Sequence, residues 1–148
     1  MKKTYLLALF AVLLFSSFNP KGLEIAIILN NENKVSSLNE SQTKLYWLRK
    51  IKKRWPEINK NIKPVDRKSK CPEQDLFYSK VLGMSANEVE AYFTQKQYES
   101  AEKPQDKFAN DNEIINFVNS EIGAIGFVNV NSLSGENKSK VKVVLTVQ

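Results

Sequence analysis

Side chains able to do covalent or acid–base chemistry are scarce among these 148 residues. There is no histidine, which excludes Ser-His-Asp and Cys-His activation, His-bearing zinc sites and a histidine pH switch. Cys71 is the single cysteine, so an internal disulfide or a Cys-rich metal site cannot form. Carboxylate pairs such as Glu88 and Glu90 lie two positions apart, a spacing at which helical side chains do not face each other, so they make no acid–base dyad. Read this way, the chain is not an enzyme, and nothing in it calls for a cofactor or a metal.

The chemistry the residues do offer is charge. From Arg49 to Lys70 there are ten bases against Glu57 and Asp66, a local charge of +8 in a chain whose net charge is +6. Such a field could attract an anion, an acidic partner or an anionic membrane surface, or serve as a solvated face. No recognisable nucleic-acid-binding motif accompanies it, so nucleic acid is not an expected partner.

Residues 1–22 read as an export signal. Lys2 and Lys3 precede an unbroken apolar run of eleven residues from Tyr5 to Phe15, too short to cross a bilayer core, which takes about 20 helical residues. Ser16 and Ser17 follow as small residues, placing cleavage between Ser16 and Gly22. An uncleaved anchor is the alternative. With 42% hydrophobic residues, positions 23–148 can build one domain with its own core.

The elements that must position the charged segment alternate along that domain. Leu23 to Leu29 is a nearly continuous apolar run, the pattern of a strand buried on both faces. Asn39 with Gln42 has capping-box spacing and opens a helix. Trp55 and Pro56 begin a loop, with Trp55 expected as a lid over the core. Ile62 to Val65 is a short strand whose Pro64 points to a sheet edge or strand end. A second helix fits Pro72 to Leu82, closed by Gly83. Ser85 and Glu88 open a third, with Tyr92, Phe93 and Tyr98 expected in the core. Glu99 to Asn110 reads as an exposed loop. Asp111 or Asn112 caps a fourth helix, Ala124 to Val130 is a strand, Ser132 to Ser139 a flexible turn, and Val141 to Val147 the last strand. Strands separated by helices predict an α/β fold with a mostly parallel sheet and right-handed crossovers.

Five segments in this order carry a resemblance: EIAIILN from Glu24, VSSLNESQTKLYWL from Val35, RWPEINKNIKPVDR from Arg54, DLFYSKVLGMSANEVEAYF from Asp75 and EIGAIGFV from Glu121. Together they are similar to the small phosphate-transporter-type substrate-binding proteins, a short branch of the type 2 periplasmic binding proteins. The resemblance spans Glu24 to Val130. It implies a single three-layer-type lobe, helices flanking a mostly parallel sheet, in a periplasmic protein that binds phosphate or a similar oxyanion without reacting with it. Linkage to an ABC-type phosphate transporter follows as an expectation, with a membrane permease or envelope protein as partner, or a homodimer that recreates a two-lobed cleft.

Carried over by position, the resemblance assigns ligand binding to Asn30, Asn31, Ser36 and Ser37 in the loop after the first strand, and to Arg67 and Ser69 ahead of the second helix. Arg67 matches the arginine that precedes an anion-binding Ser-Gly-Thr stretch in those relatives. That stretch is absent here, and Lys70-Cys71-Pro72-Glu73 occupies its neighbourhood. Pro72 lacks an N–H that an anion would use. The alternative is therefore a single-lobe accessory or docking protein of the cell envelope that has lost ligand binding.

Overall fold

The structure, a computed structural model, describes residues 22–50 and 53–148. The export-signal reading of residues 1–22 thus lies outside the described residues, Gly22 apart. Among the described residues, no helix is long and apolar enough to cross a membrane.

The chain folds in the order β1 (Ile25–Asn30), α1 (Glu40–Trp47), β2 (Lys63–Arg67), α2 (Pro72–Leu76), α3 (Ala86–Ser100), β3 (Asp106–Phe108), α4 (Asp111–Ser120), β4 (Ala124–Asn129), α5 (Asn137–Lys140) and β5 (Val141–Val147). A π-helical turn, Phe77–Leu82, prolongs α2, and a 3-10 turn, Val130–Ser132, follows β4. The strands form one sheet in the order β3-β2-β4-β1-β5. β2 runs parallel to β3 and β4, whereas β1 runs antiparallel to β4 and β5. Four strands therefore point one way and β1 the other. An apolar run buried on both faces looks the same in either direction, which is why the sequence does not reveal the reversal.

Side chains of β1 alternate between two cores. Ile25, Ile27 and Leu29 join Trp47, Phe77 and Phe93 on the face covered by α1, α2 and α3, while Ala26 and Ile28 meet Ile114, Ile115 and Val118 of α4 on the other. Helices on both faces of a central sheet give the three layers, with β1 fully buried between them. Each fully buried Ile or Leu contributes about 1.5–3 kcal/mol. Phe77 stacks on Phe127 at 4.3 Å between ring centroids, and Trp47 meets Phe77 edge-on at 5.1 Å. Trp55 is the expected lid, buried with its indole N–H donating to the Gly123 carbonyl at 2.9 Å.

Local signals hold best. Asn39 with Gln42 and Ser85 with Glu88 both form reciprocal capping boxes, and Gly83 ends the π-helical turn with φ 61°. Pro64 lies where β2 pairs with β4 alone, before pairing to β3 begins at Val65, so its missing N–H breaks no ladder on that side. Four readings change. The Glu99–Asn110 loop contains β3, and the Ser132–Ser139 turn contains the start of α5. The cap of α4 is Asn110, whose Oδ1 accepts the Glu113 N–H at 2.9 Å, one residue before the expected Asp111. Tyr98 is 89% exposed, since it lies five positions after Phe93 and so about 140° around the helix from it.

Candidate functional site

The end of β2 and the end of β4 lie side by side, because the two strands are parallel neighbours. At that edge the guanidinium of Arg67 pairs with the carboxylate of Asp111, the Nη1 donating to Oδ1. The other oxygen of Asp111, Oδ2, accepts the backbone N–H of Asn129 at 2.9 Å and the hydroxyl of Ser132 at 2.8 Å. Three different segments thus converge on one carboxylate: the end of β2, the end of β4 and the 3-10 turn. The pair is largely withdrawn from solvent, with side chains 15% and 12% exposed. The Nε of Arg67 is buried without a hydrogen-bond partner.

A second layer fixes Arg67 from behind. Asp66 is buried, and its Oδ1 accepts the Arg67 N–H at 2.7 Å and the Gln74 amide at 3.0 Å. Its Oδ2 accepts the Tyr78 hydroxyl. Burial, and then the facing Asp66 carboxylate, push the Tyr78 hydroxyl well above its ordinary pKa, so it stays a proton donor. The Gln74 amide also donates to the Arg67 carbonyl at 3.2 Å, tying α2 to the strand end. Glu73 in the first turn of α2 accepts from the Asn129 side chain at 3.2 Å. Burial alone would raise the Glu73 carboxyl, but a backbone hydrogen bond and the Asn129 amide outweigh it and hold it below the usual carboxylate range. Burial pushes the neighbouring Cys71 thiol upward, which favours the neutral thiol.

The six expected ligand-binding residues do not meet. Asn30 ends β1, and because β1 is antiparallel it lies level with the start of β4. Arg67 is four residues further along β2 than that level, about 13 Å away at strand spacing. The Asn30 amide donates to the Val118 and Asn119 carbonyls, both at 2.9 Å, and so closes the end of α4. Asn31 donates to the Ser139 carbonyl at 2.9 Å. Ser36 and Ser37 are exposed in the loop that runs beside β5, where the Leu38 N–H meets the Val144 carbonyl at 2.9 Å. Only Ser69, exposed just past β2, stays near Arg67. Because β1 runs antiparallel to β4, the loop that follows it lies at the opposite end of the sheet from Arg67.

Sequence reasoning missed Asp111, Asn129 and Ser132. Asp111 reads as a helix cap, although Asn110 does that work. The one available signal was polar Asn129 closing the otherwise apolar strand AIGFV. Chemically the edge offers a guanidinium, a backbone amide and a hydroxyl around a single negative charge. That donor set suits an oxyanion.

The opposite edge holds a cavity of about 410 Å3 lined by Arg49, Lys53, Lys63, Glu102, Asp106 and Phe117 among others. Glu102 collects Arg49 at 3.3 Å, Lys53 at 3.1 Å and Lys96 at 4.0 Å. Lys63 pairs with Glu121 at 2.8 Å. Several bases of the Arg49–Lys70 segment are therefore answered by acids of the same chain, while Lys50, Arg54, Lys60, Lys68 and Lys70 stay exposed.

Among solved structures the fold has clear neighbours. One is a protein from Clostridium perfringens, solved with bound phosphate and named for a phosphate ABC transporter's substrate-binding role, at 22% identity and TM-score 0.58. It is matched over 82% of this chain and 44% of its own. An ABC-type phosphate transport receptor from Vibrio cholerae gives 21% identity and TM-score 0.62, over 82% of this chain and 45% of its own. PstS from Borrelia burgdorferi gives 16% and 0.59, over 82% and 46%. The chain thus spans less than half the length of these neighbours and has the fold of one of their lobes. No protein-family model and no curated protein matches the sequence.

Proposed function

We propose that this chain is an exported, substrate-binding-type lobe that holds phosphate or a related oxyanion non-covalently at the edge where β2 and β4 end. The observation that carries the reading is the convergence of the Arg67 guanidinium, the Asn129 N–H and the Ser132 hydroxyl on one anionic group. Charge-assisted and directional donors of this kind fit a tetrahedral oxyanion, and Ser69 with Lys68 and Lys70 borders the same strand end. The bacterial neighbours named for phosphate transport make phosphate the first ligand to try. On this reading residues 1–22 direct the chain to the periplasm. A membrane permease, or a second copy completing a two-lobed cleft, would be its partner.

A second reading has its own support. Arg67 is already engaged by Asp111, and Pro72 opens α2 without an N–H to offer. A lobe of this kind could dock on an envelope partner and bind no small ligand. Thermal melts of residues 23–148, freed of bound anions and compared in phosphate, sulfate and chloride at matched ionic strength, separate the two. Ligand at 100 times its dissociation constant adds about 2.7 kcal/mol to the native state. The oxyanion reading expects a phosphate-selective rise of several degrees that disappears in the paired substitution Arg67→Gln with Asp111→Asn. Equal melting in all three salts would overturn it in favour of docking.

A further inference from the structure

We infer that Asp111 is the built-in occupant of this oxyanion site, an internal carboxylate that a ligand must displace. The inference rests on the oxyanion reading above and deepens it. Three observations carry it. Asp111 is spared for the role, because Asn110 makes the capping hydrogen bond of α4. Both of its carboxylate oxygens are taken, Oδ1 by Arg67 and Oδ2 by the Asn129 N–H and the Ser132 hydroxyl. Those donors come from separate segments and are the ones a bound oxyanion would use.

Asp111 and an oxyanion therefore exclude each other twice over. They compete for the same hydrogen bonds, and two anions sharing one cationic partner repel. Apparent affinity then falls by the fraction of molecules in which Asp111 has swung away. Glu73, which accepts from the Asn129 side chain at 3.2 Å, sets a second carboxylate beside the same strand end. The motion required is small, since Asp111 stands at the first position of α4 and only its side chain needs to turn.

Asp111→Asn keeps the shape and removes the charge, leaving Arg67 in want of an anion. Inorganic phosphate is titrated by calorimetry and by thermal melting into the wild-type chain, Asp111→Asn, and the double variant Arg67→Gln with Asp111→Asn. The expected result is at least tenfold tighter phosphate binding to Asp111→Asn than to wild type, lost in the double variant. Asp111→Ser repeats the test should the asparagine variant not fold. Phosphate binding that is unchanged or weaker in the folded Asp111 single variant, with a responsive wild type, overturns the inference and leaves the oxyanion reading standing. A silent wild type beside a responsive Asp111→Asn supports the inference and overturns ligand binding by the natural chain. Silence in every protein overturns both.

Discussion

The two ends of the sheet each hold an arginine–carboxylate pair at nearly the same depth. Arg67 and Asp111 are 15% and 12% exposed, Arg49 and Glu102 13% and 10%. They differ in what completes the carboxylate's coordination. Asp111 is finished by a backbone N–H and a hydroxyl fixed at a strand end and the turn after it. Glu102 is finished by lysines, of which Lys53 is 69% exposed. Neutral donors held by backbone geometry demand one anion in one place, whereas lysine ammonium groups on flexible stems follow whatever charge is near and are screened by salt. The placement of each arginine reinforces the contrast. Arg67 sits on a strand, while Arg49 adopts a left-handed backbone (φ 51°) just past α1, facing a loop that leaves α3 at left-handed Ala101 (φ 49°). Burial is nearly the same at both ends, so what sets the Arg67 end apart is its fixed, directional donors.

The largest effect that would test this contrast comes from Arg67 and Asp111. Removing one member of a buried pair strands the other, so Asp111→Asn or Arg67→Gln alone should destabilise by about 3 kcal/mol. The double substitution should recover most of that loss. Chemical denaturation of the four proteins closes the cycle. Strictly additive losses would mean the pair is not a unit, and would remove the reason for ranking this edge above the other.

Next in size is a backbone test of the opposite edge. A Cβ on Gly123 would stand 1.9 Å from the Asn61 carbonyl oxygen. The Gly123 carbonyl also accepts the Lys63 N–H and the Trp55 indole, both at 2.9 Å. Gly123→Ala should therefore push the Asn61 loop off the sheet at a cost of about 2 kcal/mol. Near-UV circular dichroism, to which buried Trp55 and Trp47 both contribute, should register the shift, and a Trp47→Phe background isolates the Trp55 part. An unperturbed alanine variant would mean that the loose edge is loose in its backbone as well as in its lysines.

Much of this architecture was legible in the sequence where the signal is local. Both capping boxes, the Gly83 stop, the two apolar strands and the Trp55 lid need only neighbouring residues to declare themselves. What was not legible depends on pairing across the chain. β3 is three residues, Asp106–Phe108, two of them exposed, and becomes a strand only because β2 offers it an edge. The direction of β1 leaves no trace in its side chains, and that one reversal separates Asn30, Asn31, Ser36 and Ser37 from Arg67. Arg67 was picked out by its place in a resemblance, yet its partner Asp111 lies 44 positions away and looks like a cap. A site built from strand ends is set by register, and register is what a single sequence states least clearly.

Glu102 provides a smaller, pH-dependent test of the same contrast. Burial would raise its carboxyl, but hydrogen bonding to Lys53 and the charges of Lys96 and Arg49 prevail and hold it below its usual 4.5. A carboxyl whose folded pKa is lowered stabilises the fold above its unfolded pKa, and that stability is lost as pH falls through the folded value. Glu102→Gln should thus cost about 1 kcal/mol at pH 7 and low salt, with Lys53 still 69% exposed, less in 0.5 M NaCl, and progressively less as pH falls through the folded value of Glu102. A salt-insensitive loss would show that Glu102 is held as rigidly as Asp111, and the contrast between the edges would fail.

The smallest effect is expected at Lys63 and Glu121. Their 2.8 Å contact is shorter than either contact of Glu102 with Arg49 or Lys53, yet the side chains are 42% and 38% exposed. At that exposure water competes for both charges, and ordering two long side chains cancels much of the attraction. Lys63→Ala should therefore change stability by less than about 0.5 kcal/mol. Because Lys63 lines the cavity at this edge, the same variant asks whether that cavity contributes to anion binding. If phosphate stabilises Lys63→Ala as strongly as it stabilises the wild-type chain, Lys63 takes no part in holding the ligand, and the ranking of the Arg67 edge above this one stands. If the phosphate effect disappears with Lys63 and survives in the Arg67→Gln, Asp111→Asn double variant, the lysine-rich edge is the binding surface and the ranking of the two edges reverses.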